Sequence, residues 1–167
     1  MPSTFDEVRP GQSVFIDANI FIYHFADRSP ACSSLLGRCE RHEVRGVTGA
    51  HVVLEVLHRL MMLEAVQKRL VAPGNVVRRL KERPQVVREL NEYARHARRI
   101  PDMGIEVWPV DIEVVRASHE VRTRMGLLIH DSITATMMER QATRVLATQD
   151  KDFSRVPGIQ VLVANDL

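Results

Sequence analysis

No apolar run in this sequence approaches the roughly 20 residues a helix needs to cross a bilayer. The opening stretch, MPSTFDEVRPGQ, mixes charges and has no apolar core of the kind a secretory signal requires. Both absences lead to the expectation of a cytoplasmic protein with no membrane partner. Cysteine is scarce, with only Cys32 and Cys39. On a helix these two share a face about 10 Å apart, at 1.5 Å per residue, too far for a disulfide. With no CxxC, they read as reduced core or half-buried thiols. The first strand-to-helix turn carries neither GxGxxG nor GxxxxGK[ST], which weighs against a nucleotide-binding module. DAN, at 17–19, lacks a second Asp two places after the first, which disfavours a phosphatase with an aspartyl nucleophile. HExxH is missing too. His51, Glu55 and His58 share a helical face, but without that motif or an evident further ligand a zinc site has no support.

What is present describes a globular protein. The 167 residues are 45% hydrophobic and 26% charged, and the length points to one domain over 1–167. Net charge is only +2, yet it is unevenly placed. Residues 68–99 hold ten Lys or Arg (Lys68, Arg69, Arg78, Arg79, Lys81, Arg83, Arg88, Arg95, Arg98, Arg99) against Glu82, Glu89 and Glu92, a local +7 that leaves −5 for the rest. Such segregation sets a cationic surface beside an acidic one. A solvated helical face explains the count equally well.

Strand and helix signals alternate. Strands are expected at 13–17, 44–48, 104–110, 143–150 and 158–163. Helices are expected at 18–26, from Ser29-Pro30 onward, at 50–67, near 75–83 and 85–99, from Asp111 to about Met125 with Gly126 as the stop, and at 130–141. Pro73-Gly74 ends the long helix. This alternation predicts an α/β fold, a mostly parallel sheet of four to five strands covered on both faces by helices. Sites in such sheets collect at the carboxyl ends of the strands.

Four acids stand out against that frame. Asp17 ends the first strand, Glu55 interrupts an apolar helix, Asp131 opens a late helix, and Asp150 follows the fourth strand with Asp152 two residues on. Each has a bland reading as a cap, a surface glutamate or a turn residue. Taken together, two strand-end acids and one at a helix start share an expected rim, which Glu55 can reach from its helix. Crowded carboxylates repel one another unless protonated or neutralised. Hard divalent cations with oxygen ligands remove the repulsion. A donor set without obligatory Cys or His favours Mg²⁺ or Mn²⁺ over Zn²⁺.

The motifs VFIDANIF, TGAHVVLEVL, LLIHDSITATMM and VLATQDKDF, in that order along nearly the whole chain, resemble those of PIN domains, most closely VapC-type toxin ribonucleases. Asp17, Glu55, Asp131 and Asp150 match the metal-binding acids, and Asp152 and Phe153 complete the T-x-D-x-D-F pattern begun by Thr148. Thr48 matches the hydroxyl residue upstream of the glutamate. Ala18 and Ser132 depart from the common residues, and the basic helical segment at about 70–100 is longer than in the shortest relatives. The resemblance implies a three-layer α/β/α domain that hydrolyses RNA phosphodiester bonds with Mg²⁺ or Mn²⁺. Asp17, Glu55, Asp131 and Asp150 would be catalytic and metal-binding, Asp152 a further metal ligand, and Asn19 and Thr148 would orient the acids. It also implies a homodimer inhibited by a cognate antitoxin protein. The alternatives are a housekeeping RNA-processing nuclease or a non-catalytic RNA- or protein-binding module. His130, beside Asp131, reads as structural or as an aid to acid–base work. Met61, Met62, Met137 and Met138 read as core or dimer filling, and Trp108 as core.

Overall fold

The computed structural model describes residues 3–167. After a short 3₁₀ turn at Phe5–Glu7, the chain runs β1 (Ser13–Ile16), α1 (Ala18–Phe25), α2 (Pro30–Glu40), β2 (Arg45–Gly49), α3 (Ala50–Gln67), α4 (Val76–Glu82), α5 (Pro84–Glu89) and α6 (Glu92–Asp102). It continues through β3 (Glu106–Trp108), α7 (Ile112–Met125), α8 (Ile129–Arg140), β4 (Val145–Ala147), a 3₁₀ turn at Lys151–Arg155, and β5 (Gln160–Leu162).

The five strands form one sheet in the order β3-β2-β1-β4-β5, every pairing parallel. Successive strand residues point to opposite faces. Val14, Phe15 and Ile16 of β1, and Val145, Leu146 and Ala147 of β4, are nevertheless all buried, so both faces of the sheet centre are covered. Val14 pairs with Val145 and Ile16 with Ala147. The chain leaves β1 toward β2 on one side, while β4 joins from the other, so the topological switch point falls between β1 and β4.

Local signals fix the helix ends. Ser29 caps α2 through Cys32 N–H at 3.0 Å, with Pro30 next, and Asp111 caps α7 through Val114 N–H at 2.8 Å. Gly126 takes the left-handed conformation, φ 66°, that ends α7. Asp166, near the carboxyl end, accepts from Ser29 Oγ (2.6 Å) and Ala31 N–H (2.8 Å) and so ties the last residues to the start of α2.

The expected helix at 85–99 is instead two, α5 and α6, broken at Leu90-Asn91. The cause lies on α3. The Glu64 carboxylate, 4% exposed, accepts from the backbone N–H of Asn91 (3.1 Å) and Tyr93 (2.9 Å), supplying partners for the open start of α6. Lys68 Nζ, at 2.7 Å, balances its charge. Behind the break Ala65, Val71, Leu80, Val86 and Leu90 form a small core of their own, with Met61 and Met62 packed against it. The ten cations of 68–99 are all exposed on this helical arm, and several are engaged locally: Arg78 with Glu82, Arg79 with the Gly74 carbonyl, Arg83 with the Leu70 carbonyl.

Trp108, Met137 and Met138 are in the main core, Trp108 edge-on to Phe15 with ring centroids 6.0 Å apart. Cys32 and Cys39 are free and buried, and burial pushes both thiols up to about 11. At neutral pH they are inert packing groups. Among the described residues, no helix is long and apolar enough to cross a membrane.

Candidate active site

The sheet delivers its side chains to one rim. Asp17 directly follows β1 and caps α1, its Oδ1 accepting from Ala18 N–H at 2.7 Å. Capping and site membership are therefore not rival explanations for this residue, because the cap is what aims the carboxylate. Across the switch point, Thr148 follows β4. Its hydroxyl donates to Asp17 Oδ2 at 2.6 Å and accepts from Asp150 N–H at 3.0 Å. Asn19, in the first turn of α1, donates from Nδ2 to Asp17 Oδ2 (2.8 Å) and to Thr148 Oγ1 (3.1 Å), and its Oδ1 accepts from Gln149 N–H (3.1 Å). The two central strand ends are thus laced together through Asp17. Thr48, at the end of β2, donates to the Ile16 carbonyl at 2.8 Å and joins the third strand to the same rim.

Beyond Thr148 the chain folds back on itself. Asp152 N–H donates to Asp150 Oδ1 at 2.8 Å, which opens the 3₁₀ turn. Asp131 comes from the first turn of α8. Carboxylate oxygens of Asp131, Asp150 and Asp152 all lie within 4.8 Å of one another. Glu55, in the second turn of α3, is held more loosely: Arg59 Nη1 is 3.5 Å from one of its oxygens and His130 Nδ1 is 3.9 Å from the other.

Electrostatics register the crowding. Burial raises the Asp17 carboxyl above its ordinary value; the Thr148 and Ala18 hydrogen bonds oppose this, and the charges of Glu55 and Asp150 add to it. Burial, followed by the charges of Asp150, Asp17, Asp152 and Glu55, pushes Asp131 up to about 6. Asp131 therefore feels every other acid in the set, which means that five carboxylates from four separate segments share one rim.

A family description fits this arrangement. The PIN domain model matches residues 14–159. The chain belongs to the PIN domain family. Solved structures with the same fold include a VapBC2 assembly from Rickettsia felis bound to a promoter DNA fragment, at 13% identity and TM-score 0.60, covering 92% of this chain and 100% of that one. Another is VapC20 from Mycobacterium tuberculosis, a toxin that cleaves the sarcin–ricin loop, at 14% identity and TM-score 0.57, covering 89% and 98%. A third, from Pyrobaculum aerophilum, has 17% identity and TM-score 0.54, covering 90% of each chain. No curated protein sequence matches the chain.

The PIN rim gathers Asp17, Glu55, Asp131, Asp150 and Asp152, with Asn19 and Thr148 bonded among them. Asp152 belongs to the tightest trio, because the turn after Asp150 folds it back, whereas the Asp17 carboxylate is occupied by three hydrogen-bond donors. The His51–His58 pairing does not form a metal site. His51 is buried with Nε2 2.8 Å from Thr134 Oγ1, His58 is exposed, and neither belongs to a group of convergent metal-binding side chains among the described residues. Exposed His130 stacks edge-on to His51, with ring centroids 6.0 Å apart. Arg59 went unflagged by motif reading, although its i, i+4 spacing from Glu55 was a usable signal. Arg122 went unflagged as well: it bridges Ser118 and Ser132 at 2.8 and 3.0 Å, and so ties α7 to the turn that carries Asp131.

Proposed function

We propose that this PIN domain protein is a metal-dependent endoribonuclease, the toxin of a VapBC-type toxin–antitoxin pair, working in the cytoplasm on RNA. One observation carries the reading: five carboxylates, two of them with raised pKa values, converge at the switch point of a parallel sheet. Such a cluster carries an electrostatic cost that a purely structural site would not retain.

The residues fit a divalent cation. All donors are carboxylate oxygens, among the described residues no thiolate or imidazole joins the trio within 4.8 Å, and the set suits Mg²⁺ or Mn²⁺. Asp131, Asp150 and Asp152 would hold it, with Asp17 and Glu55 completing the negative wall directly or through water. When bound, such an ion supplies an activated water and charge stabilisation at a phosphodiester. A bound cation would compete with protons at Asp131 and Asp17, whose proton affinity burial and the neighbouring acids raise. Thr148 and Asn19 keep the Asp17 carboxylate in one orientation. Arg122 braces the first turn of α8 through Ser132 and so fixes Asp131.

In this reading the partners are an antitoxin protein and a second copy of the chain. Exposed Leu128 (75%) and Ile129 (62%), beside the acids, offer apolar surface for such contacts. The test combines growth on induced expression, wild type against Asp17→Ala, with mapping of cleaved RNA ends. Growth arrest and new RNA ends in the wild type alone, with cleavage in vitro abolished by EDTA, are expected. Toxicity that persists in Asp17→Ala points away from nuclease action.

A further inference from the structure

A polyanion approaching five carboxylates needs cations close to them. The basic arm does not supply the nearest. Arg155 lies close to the acids, but it is committed to Asp152 through both its carbonyl and its carboxylate, the latter at 2.9 Å. Arg59 is different. Its guanidinium is half-exposed and reaches Glu55 only at 3.5 Å, the outer limit of a hydrogen bond. An exposed pair this long contributes little, so the guanidinium can turn to another anion at small cost.

Arg59 also lines a groove. α1 and α3 pack together, and the first residue of α4 closes one side, leaving a cavity of about 360 Å³. Tyr23, Ala26, Met62 and Val76 line it together with Arg28 and Arg59. Arg28 is exposed and makes no ion pair among the described residues. From Arg59 to Val66, the first and last residues of α3 that line the groove, the helix advances about 10 Å at 1.5 Å per residue. Stacked nucleotides repeat at about 3.4 Å along a strand, so this length holds more than one.

We propose that this groove is a binding site for single-stranded RNA, taking the nucleotides next to the cleaved bond. Arg59 binds the phosphate nearest the acids, Arg28 binds a more distant one, and a base lies against Tyr23 and the apolar wall. The charge pattern favours a nucleic acid strand over a peptide. A guanidinium unpaired among the described residues, Arg28, and a loosely paired one, Arg59, line an apolar slot with an aromatic ring, the combination of backbone cation and stacking surface that single strands use. Arg59 lines the slot and reaches Glu55 at 3.5 Å, so it links the slot to the acids. This inference rests on the nuclease reading for the cut itself, but binding can be measured without cleavage.

The test uses the full chain and a fluorescein-labelled 12-nucleotide single-stranded RNA in Ca²⁺, followed by anisotropy at several salt concentrations. Arg28→Ala with Arg59→Ala is expected to raise Kd roughly 30-fold. It is also expected to flatten the log–log salt slope by about 1.4, since each lost contact removes about 0.7 on a single strand. The Lys double variant should recover most of both. Tyr23→Leu should weaken binding roughly fivefold with an unchanged salt slope, because stacking carries no counterions. An unchanged melting curve for each variant shows an intact fold. Wild-type Kd and slope in the Arg28, Arg59 double variant overturn the inference, including the case where the groove holds a protein segment instead. Wild-type protein that binds the RNA through these arginines but never cuts it, in Mg²⁺ or Mn²⁺, sustains the groove and removes the nuclease reading.

Discussion

Glu64 is a buried carboxylate and Asp131 a half-buried one, and the protein treats them in opposite ways. Burial alone pushes Glu64 up, but hydrogen bonds from Lys68 and from the backbone N–H groups of Tyr93, Asn91 and Glu92 outweigh it and hold the carboxyl at about 2. Among the described residues Asp131 has no such donors, and burial together with the charges of the neighbouring acids pushes it up to about 6. A carboxylate whose lone pairs are filled by donors is a fastener. One held among like charges is under electrostatic strain, which in the function proposed above a cation would relieve. The helical arm is built around the first kind, the sheet rim around the second.

The contrast predicts opposite outcomes on mutation. The largest effect is expected at the rim on activity: Asp17→Ala or Asp150→Ala should lower RNA cleavage roughly 10³-fold or more, the loss of several kcal/mol of transition-state stabilisation, with the melting temperature little changed in Asp150→Ala and lowered in Asp17→Ala, whose carboxylate caps α1 and joins the two strand ends. Retained cleavage in a fixed-time assay on the purified variants would contradict the assignment. Next comes the arm on stability. Glu64→Ala strands the α6 start and Lys68, and should cost about 3 kcal/mol, or about 6–12 °C in melting temperature at this size. Hydrogen exchange should quicken first in α4–α6. If the rim alone loosened, the division into fastener and site would be wrong.

Removing the laces should act between these limits. Thr148→Ala or Asn19→Ala is expected to lower cleavage about 10–100-fold, the range for groups that orient metal ligands, with a higher Mg²⁺ concentration needed for half-maximal activity in a titration. Asp131→Asn should have the smallest effect on stability, and an inverted one. Without added metal at pH 7 it should stabilise by roughly 1–2 kcal/mol, reduced from the full shift because the group is partly exposed. Cleavage should be lost in the same variant.

The two carboxylates also divide the pH profile of the metal-free protein. A raised folded pKa means the native state holds the proton more tightly, so Asp131 contributes stability below about pH 4 that is lost as pH climbs through about 6. A lowered one works the other way: Glu64 stabilises fully above about 4.5, and that contribution fades as pH falls toward 2. Chemical denaturation across pH 2–7 should show both limbs. Asp131→Asn should flatten the upper one, and Glu64→Gln the lower.

Much of the fold and rim was legible because it rests on local patterns. Apolar runs ending in acids marked β1 and β4, Ser29-Pro30 and Asp111 marked helix starts, and Gly126 marked a stop. The alternation of elements called for a parallel sheet, whose strand ends must share a rim. What escaped depended on distant partners. Nothing near residue 90 announces the break between α5 and α6, because its cause sits on Glu64, twenty-seven residues earlier. Glu64 itself looked like any helical glutamate. The cation count drew attention to the arm, while the arginines nearest the acids, Arg59 and Arg155, lie outside residues 68–99.

The sequence by itself determined the elements, their order and the presence of acids at strand ends, because hydrophobic period, caps and turn residues act within a few positions. Tertiary structure alone decided which carboxylates are satisfied and which are crowded. That depends on what stands within about 4 Å in space, and a buried charge owes its proton affinity to those neighbours rather than to its place in the chain.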